Sequence, residues 1–279
     1  MEQIMSFYAN QKDEFIESST KGIKLHLKYN LADFPKANII IAHGVAEHLG
    51  RYDQTTSFLN KAGFNVFRYD QRGHGKSEGI RGYIENYNNL SGDLDKVVDL
   101  VHKNYFNFST FILGHSMGGE TVLLYGTQYP GKIDGILATD ALSLYTKPTF
   151  GKVPIAGDPK KTVPNTLNGL DSDQRVFSKY KADKQNQKTL TVGIINAMYK
   201  GALYLRKNIS KISDPIFLMH GNEDGAISVL DTLKAFPKIG SHDKELHVYP
   251  CLMHEILNEP TRKWDIYKEI SGWINKRIY

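Results

Sequence analysis

The sequence has 279 residues, 41% apolar and 23% charged, with a formal net charge of +5 and one cysteine. That length fits one large α/β domain with an insertion or two small domains, and the composition is that of a soluble globular protein. One cysteine excludes an internal disulfide framework, and no apolar run approaches the ~20 residues that span a bilayer; Met1-Glu2-Gln3-Ile4 does not open a signal peptide, so a cytoplasmic location is expected.

Along the chain, residues 15–18 and 24–29 suit an antiparallel edge, and residues 38–42 form the first apolar strand. A helix is expected from about Tyr52, stopped by Gly63, followed by a strand over 65–69. Leu90, Leu94, Val97, Val98 and Val101 repeat at helical spacing, then residues 110–113 read as a strand. A helix over 120–129 and a strand over 135–138 follow. After an interruption, strands are expected at 215–219 and 245–249, and Ile266, Ile270, Trp273 and Ile274 mark a terminal helix. This alternation predicts an α/β class protein with a mainly parallel, doubly wound sheet.

Residues 144–212 break the alternation, opening with Pro148, Pro154, Pro159 and Pro164 and continuing with helical stretches near 173–180 and 190–205. Residues 143–212 hold thirteen Lys or Arg against four acids, a net +9, while the rest of the chain carries −4. The expected organisation is a core of 1–142 and 213–279 with a helical cap (lid) insertion at 143–212. Such a cap would cover the carboxyl ends of the strands, where open α/β sheets bind ligands.

Gly114-His115-Ser116-Met117-Gly118 lies between the strand at 110–113 and the helix at 120–129. G-x-S-x-G in a strand-turn-helix setting lifts a serine hydroxyl to the top of a parallel sheet, and the glycines permit the strained, close-packed turn. A serine nucleophile needs a base within reach and an acid to orient it. In this fold the order is Ser, then acid, then His. Asp224, in the loop after 215–219, is the expected acid, with Glu223 and then Asp231 as competitors. His254 follows the last strand on the same rim and is the expected base. His247 belongs to a strand, and His242 precedes that strand on the wrong edge. The oxyanion hole is expected from the N–H groups of Met117 and Val45.

His43-Gly44-Val45-Ala46-Glu47-His48-Leu49-Gly50-Arg51-Tyr52 resembles the oxyanion loop of monoglyceride lipases and related lysophospholipases. Tyr69-Asp70-Gln71-Arg72-Gly73-His74-Gly75-Lys76-Ser77-Glu78-Gly79 resembles that family's next loop. The elbow, His220-Gly221-x-x-Asp224, Met253-His254-Glu255 and the stretch 173–183 are also similar, so the resemblance spans about residues 15–275. Residues 143–168, rich in Lys and Pro, depart from it. The resemblance implies an α/β-hydrolase fold and a serine carboxylic-ester hydrolase acting through an acyl-enzyme on monoacylglycerols, lysophospholipids or similar acyl esters. No cofactor or metal is required. The alternatives are an aminopeptidase or C–C bond hydrolase of the same fold, or a non-catalytic ligand receptor, which would normally carry a damaged triad.

Other signals read as structural. His43, Glu47 and His48 lack a metal-binding spacing, and a polar brace of Glu47, Arg51 and Asp70 behind the oxyanion loop is expected instead. Gly73-His74-Gly75-Lys76-Ser77 lacks the first glycine of a phosphate loop. His115 is expected to pack behind the serine, Cys251 to fill a small buried space, and Trp264 and Trp273 to belong to the core. Ile194, Ile195 and Met198, in one stripe with Ala202 and Leu205, are expected to line an acyl channel, to pack the cap on the body, or both. The basic excess of the cap suits transient contact with an anionic lipid surface or an ordinary solvated face; no nucleic-acid motif is present.

Overall fold

Short apolar runs bounded by turns give the strands. The computed structural model describes residues 11–167 and 169–278. Its strands are β1 (Gln11–Glu17), β2 (Lys24–Asn30), β3 (Ala37–Ala42), β4 (Phe64–Tyr69), β5 (Thr110–His115), β6 (Gly135–Thr139), β7 (Thr162–Pro164), β8 (Thr189–Thr191), β9 (Ile216–Gly221) and β10 (Lys244–Tyr249). Eight of them make one sheet in the order β1-β2-β4-β3-β5-β6-β9-β10. The β1–β2 and β2–β4 pairs are antiparallel, and the remaining pairs of that sheet are parallel. β3, β4, β5, β6 and β9 are buried along their whole length, as parallel strands covered on both faces are.

The helices are α1 (Asp53–Lys61), α2 (Asn88–Tyr105), α3 (Met117–Gln128), α4 (Gln174–Ala182), α5 (Val192–Asn208), α6 (Val229–Ala235) and α7 (Lys263–Asn275). Successive side chains of β5 face opposite ways and so feed two apolar layers. Ile112 belongs with Leu94, Val98 and Leu124. Phe111 and Leu113 belong with Leu59, Ile270 and Trp273. Truncating a side chain such as Ile112 to alanine would cost about 2–5 kcal/mol. Among the described residues, no helix is long and apolar enough to cross a membrane.

The strand order places the site. β5 lies between β3 and β6, with Ala42 opposite Gly114 and His115 opposite Thr139. After β3 the chain builds β4 on one side, then returns to build β5, β6, β9 and β10 on the other. Residues that follow β3 and β5 therefore face the crevice where the strand order reverses.

Between β6 and β9 the chain makes a long excursion containing β7, α4, β8 and α5. β7 and β8 pair antiparallel; at three residues each, they are too short to show a strand period. Asp173 caps α4 by accepting the Arg175 N–H at 2.8 Å, and Thr191 caps α5 by accepting the Ile194 N–H at 3.2 Å. α5 places Ile194, Ile195, Ala202 and Leu205 in the same apolar layer as Leu124. No residue of α4 is buried.

Two expectations about single residues are overturned. Cys251 is exposed and adopts φ +61°, on a turn just past β10 rather than inside the core. Trp264 is 48% exposed, because it opens α7 away from the face that buries Ile266, Ile270 and Trp273. It covers the rim of that layer by edge contact with Tyr267, at 5.6 Å between ring centroids.

Candidate active site

β5 ends at His115 and α3 begins at Met117, so Ser116 alone makes the turn between them. Its backbone takes φ +56° and ψ −115°, a region that L-residues avoid and that functional turns occupy at a cost. Glycine permits the close approach. A Cβ at Gly114 would lie 2.0 Å from the Gly118 carbonyl oxygen, and one at Gly118 would lie 2.0 Å from that of Ala42.

Asp224 follows β9 in a turn whose N–H groups hold its carboxylate: Oδ1 accepts from Ala226 at 2.7 Å and Ile227 at 2.8 Å. The other oxygen, Oδ2, lies 2.7 Å from His254 Nδ1 and 3.1 Å from His220 Nε2. His254, in the loop after β10, brings Nε2 to 2.9 Å from Ser116 Oγ. Carboxylate, imidazole and hydroxyl thus form one hydrogen-bonded chain.

The charges are set by competing effects. Burial opposes the Asp224 charge, but the adjacent His254 and His220 outweigh it and hold the carboxyl well below its ordinary range. Burial likewise opposes protonation of His254, and Asp224 outweighs it, raising this imidazole above its usual value. Asp140 is fully buried, with Oδ1 accepting the Gly221 N–H at 2.9 Å. Burial, then repulsion from Asp224, pushes its carboxyl well up, the opposite direction to that of Asp224. His115 lies tilted against His254, with 4.8 Å between ring centroids. Burial and then the neighbouring His254 push its pKa down to about 3, so it stays neutral.

A second network stiffens the loop after β3. Glu47 accepts from the Gly44 N–H at 2.5 Å, Tyr52 Oη at 2.7 Å and Arg51 Nη1 at 2.9 Å. Arg51 also makes a two-pronged pair with Glu255, Nη1 to Oε1 at 2.8 Å and Nη2 to Oε2 at 2.6 Å. The loop after β3 is thereby tied to the residue next to His254. Asp70 is not part of this brace, contrary to expectation. It accepts from the Leu49 and Lys76 N–H groups, each at 2.8 Å, and meets His26 Nδ1 at 2.7 Å. It therefore joins the loops after β3 and β4 from behind.

His43, Glu47 and His48 do not converge on a metal position. His43 Nδ1 is 2.7 Å from the Gly44 carbonyl, its Nε2 accepts the Gln71 N–H at 2.9 Å, and His48 Nε2 turns to Asp183 at 2.8 Å. Among the described residues, one group could offer a cation three atoms within 4.8 Å of one another: Asp140, Asp224 and His254. Of these, Asp224 Oδ2 and His254 Nδ1 already bond each other at 2.7 Å.

Two narrow cavities flank Ser116, and Val45, Leu167 and His254 line both. One has a polar wall of Glu47, Arg51, His115, Tyr180 and Glu255. The other is walled by Met117, Leu142, Phe150, Met198, Ala226 and Ile227. The N–H groups of Val45 and Met117 find no backbone acceptor among the described residues, and Met117 opens α3, where N–H groups have no intrahelical partner. Ser116, Asp224, His254, Val45, Met117 and Met198 therefore come together. Ile194 and Ile195 line neither cavity and are buried between α5 and the body.

His220, Glu255 and Tyr180 lie in stretches that resemble the family, but the sequence assigned them no role. His220 closes an apolar strand, and its bond to Asp224 depends on the backbone reversing after Gly221. Tyr180 comes from α4 and places its ring 4.8 Å from the Arg51 guanidinium.

A family model described as Serine aminopeptidase, S33 (Hydrolase_4) matches residues 33–261. The chain is 30% identical over 248 residues to the monoacylglycerol lipase of Mycolicibacterium smegmatis, covering 86% of this chain and 88% of that one. It is 29% identical over 263 residues to the monoglyceride lipase of Homo sapiens, with coverage of 87% and 84%. Its fold matches a soluble variant of monoglyceride lipase from Saccharomyces cerevisiae, solved in complex with a substrate analog, at a TM-score of 0.81 and 22% identity, covering 95% of each chain. The fold is the α/β-hydrolase fold, and with the family match extending over most of its length the chain belongs to the Serine aminopeptidase, S33 family and is a serine hydrolase.

Proposed function

We propose that this enzyme hydrolyses monoacyl esters, monoacylglycerols and lysophospholipids among them, with Ser116 as nucleophile, His254 as general base and Asp224 as its orienting acid. The observation that carries this reading is the unbroken chain at 2.9 Å and 2.7 Å from Ser116 Oγ through His254 to Asp224. His254 takes the hydroxyl proton as Ser116 Oγ attacks the ester carbonyl. The N–H groups of Val45 and Met117 receive the developing oxyanion, each worth about 10²–10³ in kcat. His254 then returns the proton to the leaving alcohol, and water repeats the cycle to release the acid.

The two cavities suit the two halves of such a substrate. The apolar wall beside Met198 would face the acyl chain, and the polar wall beside Arg51 would face the alcohol. Residues 143–212 would act as the cap, its +9 excess drawing the enzyme to anionic lipid surfaces. An exposed free thiol at Cys251 fits a reducing compartment, the cytoplasm.

The test is a fluorophosphonate probe together with a panel of monoacylglycerols of graded chain length. Wild type should label and hydrolyse, and Ser116→Ala should do neither. The family description keeps an amidase in view, so aminoacyl anilides run beside p-nitrophenyl esters. Faster cleavage of the anilides would overturn the ester assignment.

A further inference from the structure

The apolar space at Ser116 is almost filled: what its walls leave open is about the size of one water molecule. An acyl chain enters only if a wall gives way. Met117, Leu142, Ala226 and Ile227 belong to the buried body, and Met198 is buried on α5. Leu167 lines both cavities and so stands between them, whereas Phe150 lines the apolar one alone. Thr149 and Phe150 are half-buried and belong to a strap, residues 147–154, pinned at both ends. Before it, Asp231 accepts the N–H groups of Tyr145 and Thr146, each at 2.8 Å. After it, Ile155 and the Asn196 side chain of α5 exchange two hydrogen bonds of 2.8 Å each. Between these pins the strap is clasped to the loop that carries Asp224. Lys147 Nζ donates to the Gly225 carbonyl, and Thr149 Oγ1 donates to the Ala226 carbonyl at 2.5 Å. The Phe150 N–H donates to Tyr145 Oη at 3.1 Å. Gly151 then turns at φ +69°, and a Cβ there would meet nothing within 4 Å, so the strap has open space beside it.

We propose that Phe150 sets the acyl-chain length: its ring stops the acyl side of the site, so short-chain monoacyl esters are the preferred substrates and longer chains enter only by lifting the strap. This rests on the ester-hydrolase reading above. Lifting the strap breaks the Thr149 hydrogen bond and uncovers the Phe150 ring, a cost that each added methylene offsets only in part. A chain that displaces the ring still meets apolar surface, because Val153, Ile155 and Val163 pack on the layer that holds Met198 and Ile227. The Ala226 N–H holds Asp224 Oδ1 at 2.7 Å, so the strap closes on the turn that holds the triad acid.

The experiment compares kcat/KM for p-nitrophenyl butanoate and p-nitrophenyl octanoate, both below their critical micelle concentrations. The two esters share one leaving group and one triad, so any damage to the triad cancels in their ratio. Wild type should favour the butanoate. Phe150→Ala should raise the octanoate-to-butanoate ratio on the order of 10-fold, mainly through KM, about the value of burying two further methylenes. Should that variant fail to fold, Phe150→Leu should still raise the ratio about 3-fold. Thr149→Val keeps the side chain's shape but breaks the clasp to Ala226, and should also raise the ratio about 3-fold. Lys152→Ala, at an exposed position of the same strap, should leave it unchanged. An equal rise there would mean general loosening of the insertion and would overturn the role of Phe150. A ratio that stays constant or falls in Phe150→Ala would make the ring a packing or chain-binding group and sink the proposal. Wild type that favours the octanoate overturns this proposal alone, whereas wild type that cleaves neither ester overturns the ester reading with it.

Discussion

α3, which follows Ser116, buries eleven of its twelve residues, whereas α4 in the excursion between β6 and β9 buries none. The same contrast runs through the polar groups. Around Ser116 the charges come in closed sets: Asp224 between His254 and His220, Arg51 between Glu47 and Glu255. In the excursion, lysines such as Lys181 and Lys188 face solvent without ion-pair partners among the described residues. Buried, fully paired groups cannot change without a large loss, while solvated ones can vary at little cost. The polar groups around Ser116 are thus held by pairing, whereas those of α4 are left to solvent.

The sharpest break of that contrast is at the hydroxyl. Ser116→Ala should reduce kcat/KM by about 10⁴–10⁶ with little change in Tm, as removing the nucleophile from such an array does. Asp224→Asn should cost on the order of 10⁴-fold by favouring the wrong tautomer of His254. Steady-state kinetics on a monoacyl ester checks both, and residual rates within tenfold of wild type would remove these residues from the reaction.

Next in size is a loss of stability. Arg51 is flanked by two carboxylates that are nearly inaccessible. Arg51→Ala strands them in the interior and should destabilise the fold by about 3–5 kcal/mol. Lys181→Ala, its counterpart in the excursion, should change stability by less than about 0.5 kcal/mol. Urea unfolding of the two variants reads the difference directly, and similar midpoints would deny that the two regions are built differently.

The sheet edge was also the part legible in the sequence. Glycines at 114 and 118, the apolar run before them and the helix after them all answer to local geometry, so the elbow could be read from one window. Asp224 and His254 could be placed because each follows a strand on the same rim. The excursion could not be read as well. β7 and β8 have three residues each, too few for a period, and the stripe with Ile194, Ile195 and Met198 carried two meanings. The structure separates them by direction: Met198 faces the cavity, while Ile194 and Ile195 pack on the body. Asp70 misled for another reason, since proximity in the loops said nothing about which carboxylate Arg51 would meet; Glu255, distant in sequence, won that contact.

A pH profile sharpens the electrostatic side. Asp224 raises His254 above its ordinary value, and the base must be neutral to accept the serine proton. Activity should therefore be lost as pH falls through that raised value, placing the acid limb of kcat/KM above 6.5, the usual histidine value. In Asp224→Asn the main support of the charged imidazole is gone, so the limb of the residual activity should move to lower pH. Identical limbs in the two proteins would show that another group sets it.

The smallest effect lies at the seam between the two regions. Asp171 is buried where the excursion meets the His254 loop, next to the backbone bond from Glu255 N–H to the Leu170 carbonyl at 2.6 Å. Burial first, and then the nearby carboxylates of Glu259 and Glu255, push its pKa up to about 7 against the help of the Asp173 N–H. A carboxyl raised on folding favours the native state most below the unfolded value near 3.8 and withdraws that support as pH climbs through about 7. Above pH 7 the seam holds a buried negative charge facing two others. Asp171→Asn keeps an oxygen for the Asp173 N–H, which lies 2.7 Å from Oδ1, and removes the charge. Its Tm should exceed that of wild type by a few degrees at pH 8–9, and the advantage should shrink as pH falls below 7 and vanish only near the unfolded value of 3.8. A gain that stayed constant from pH 5 to 9 would trace to packing, and the seam would then carry no charge strain.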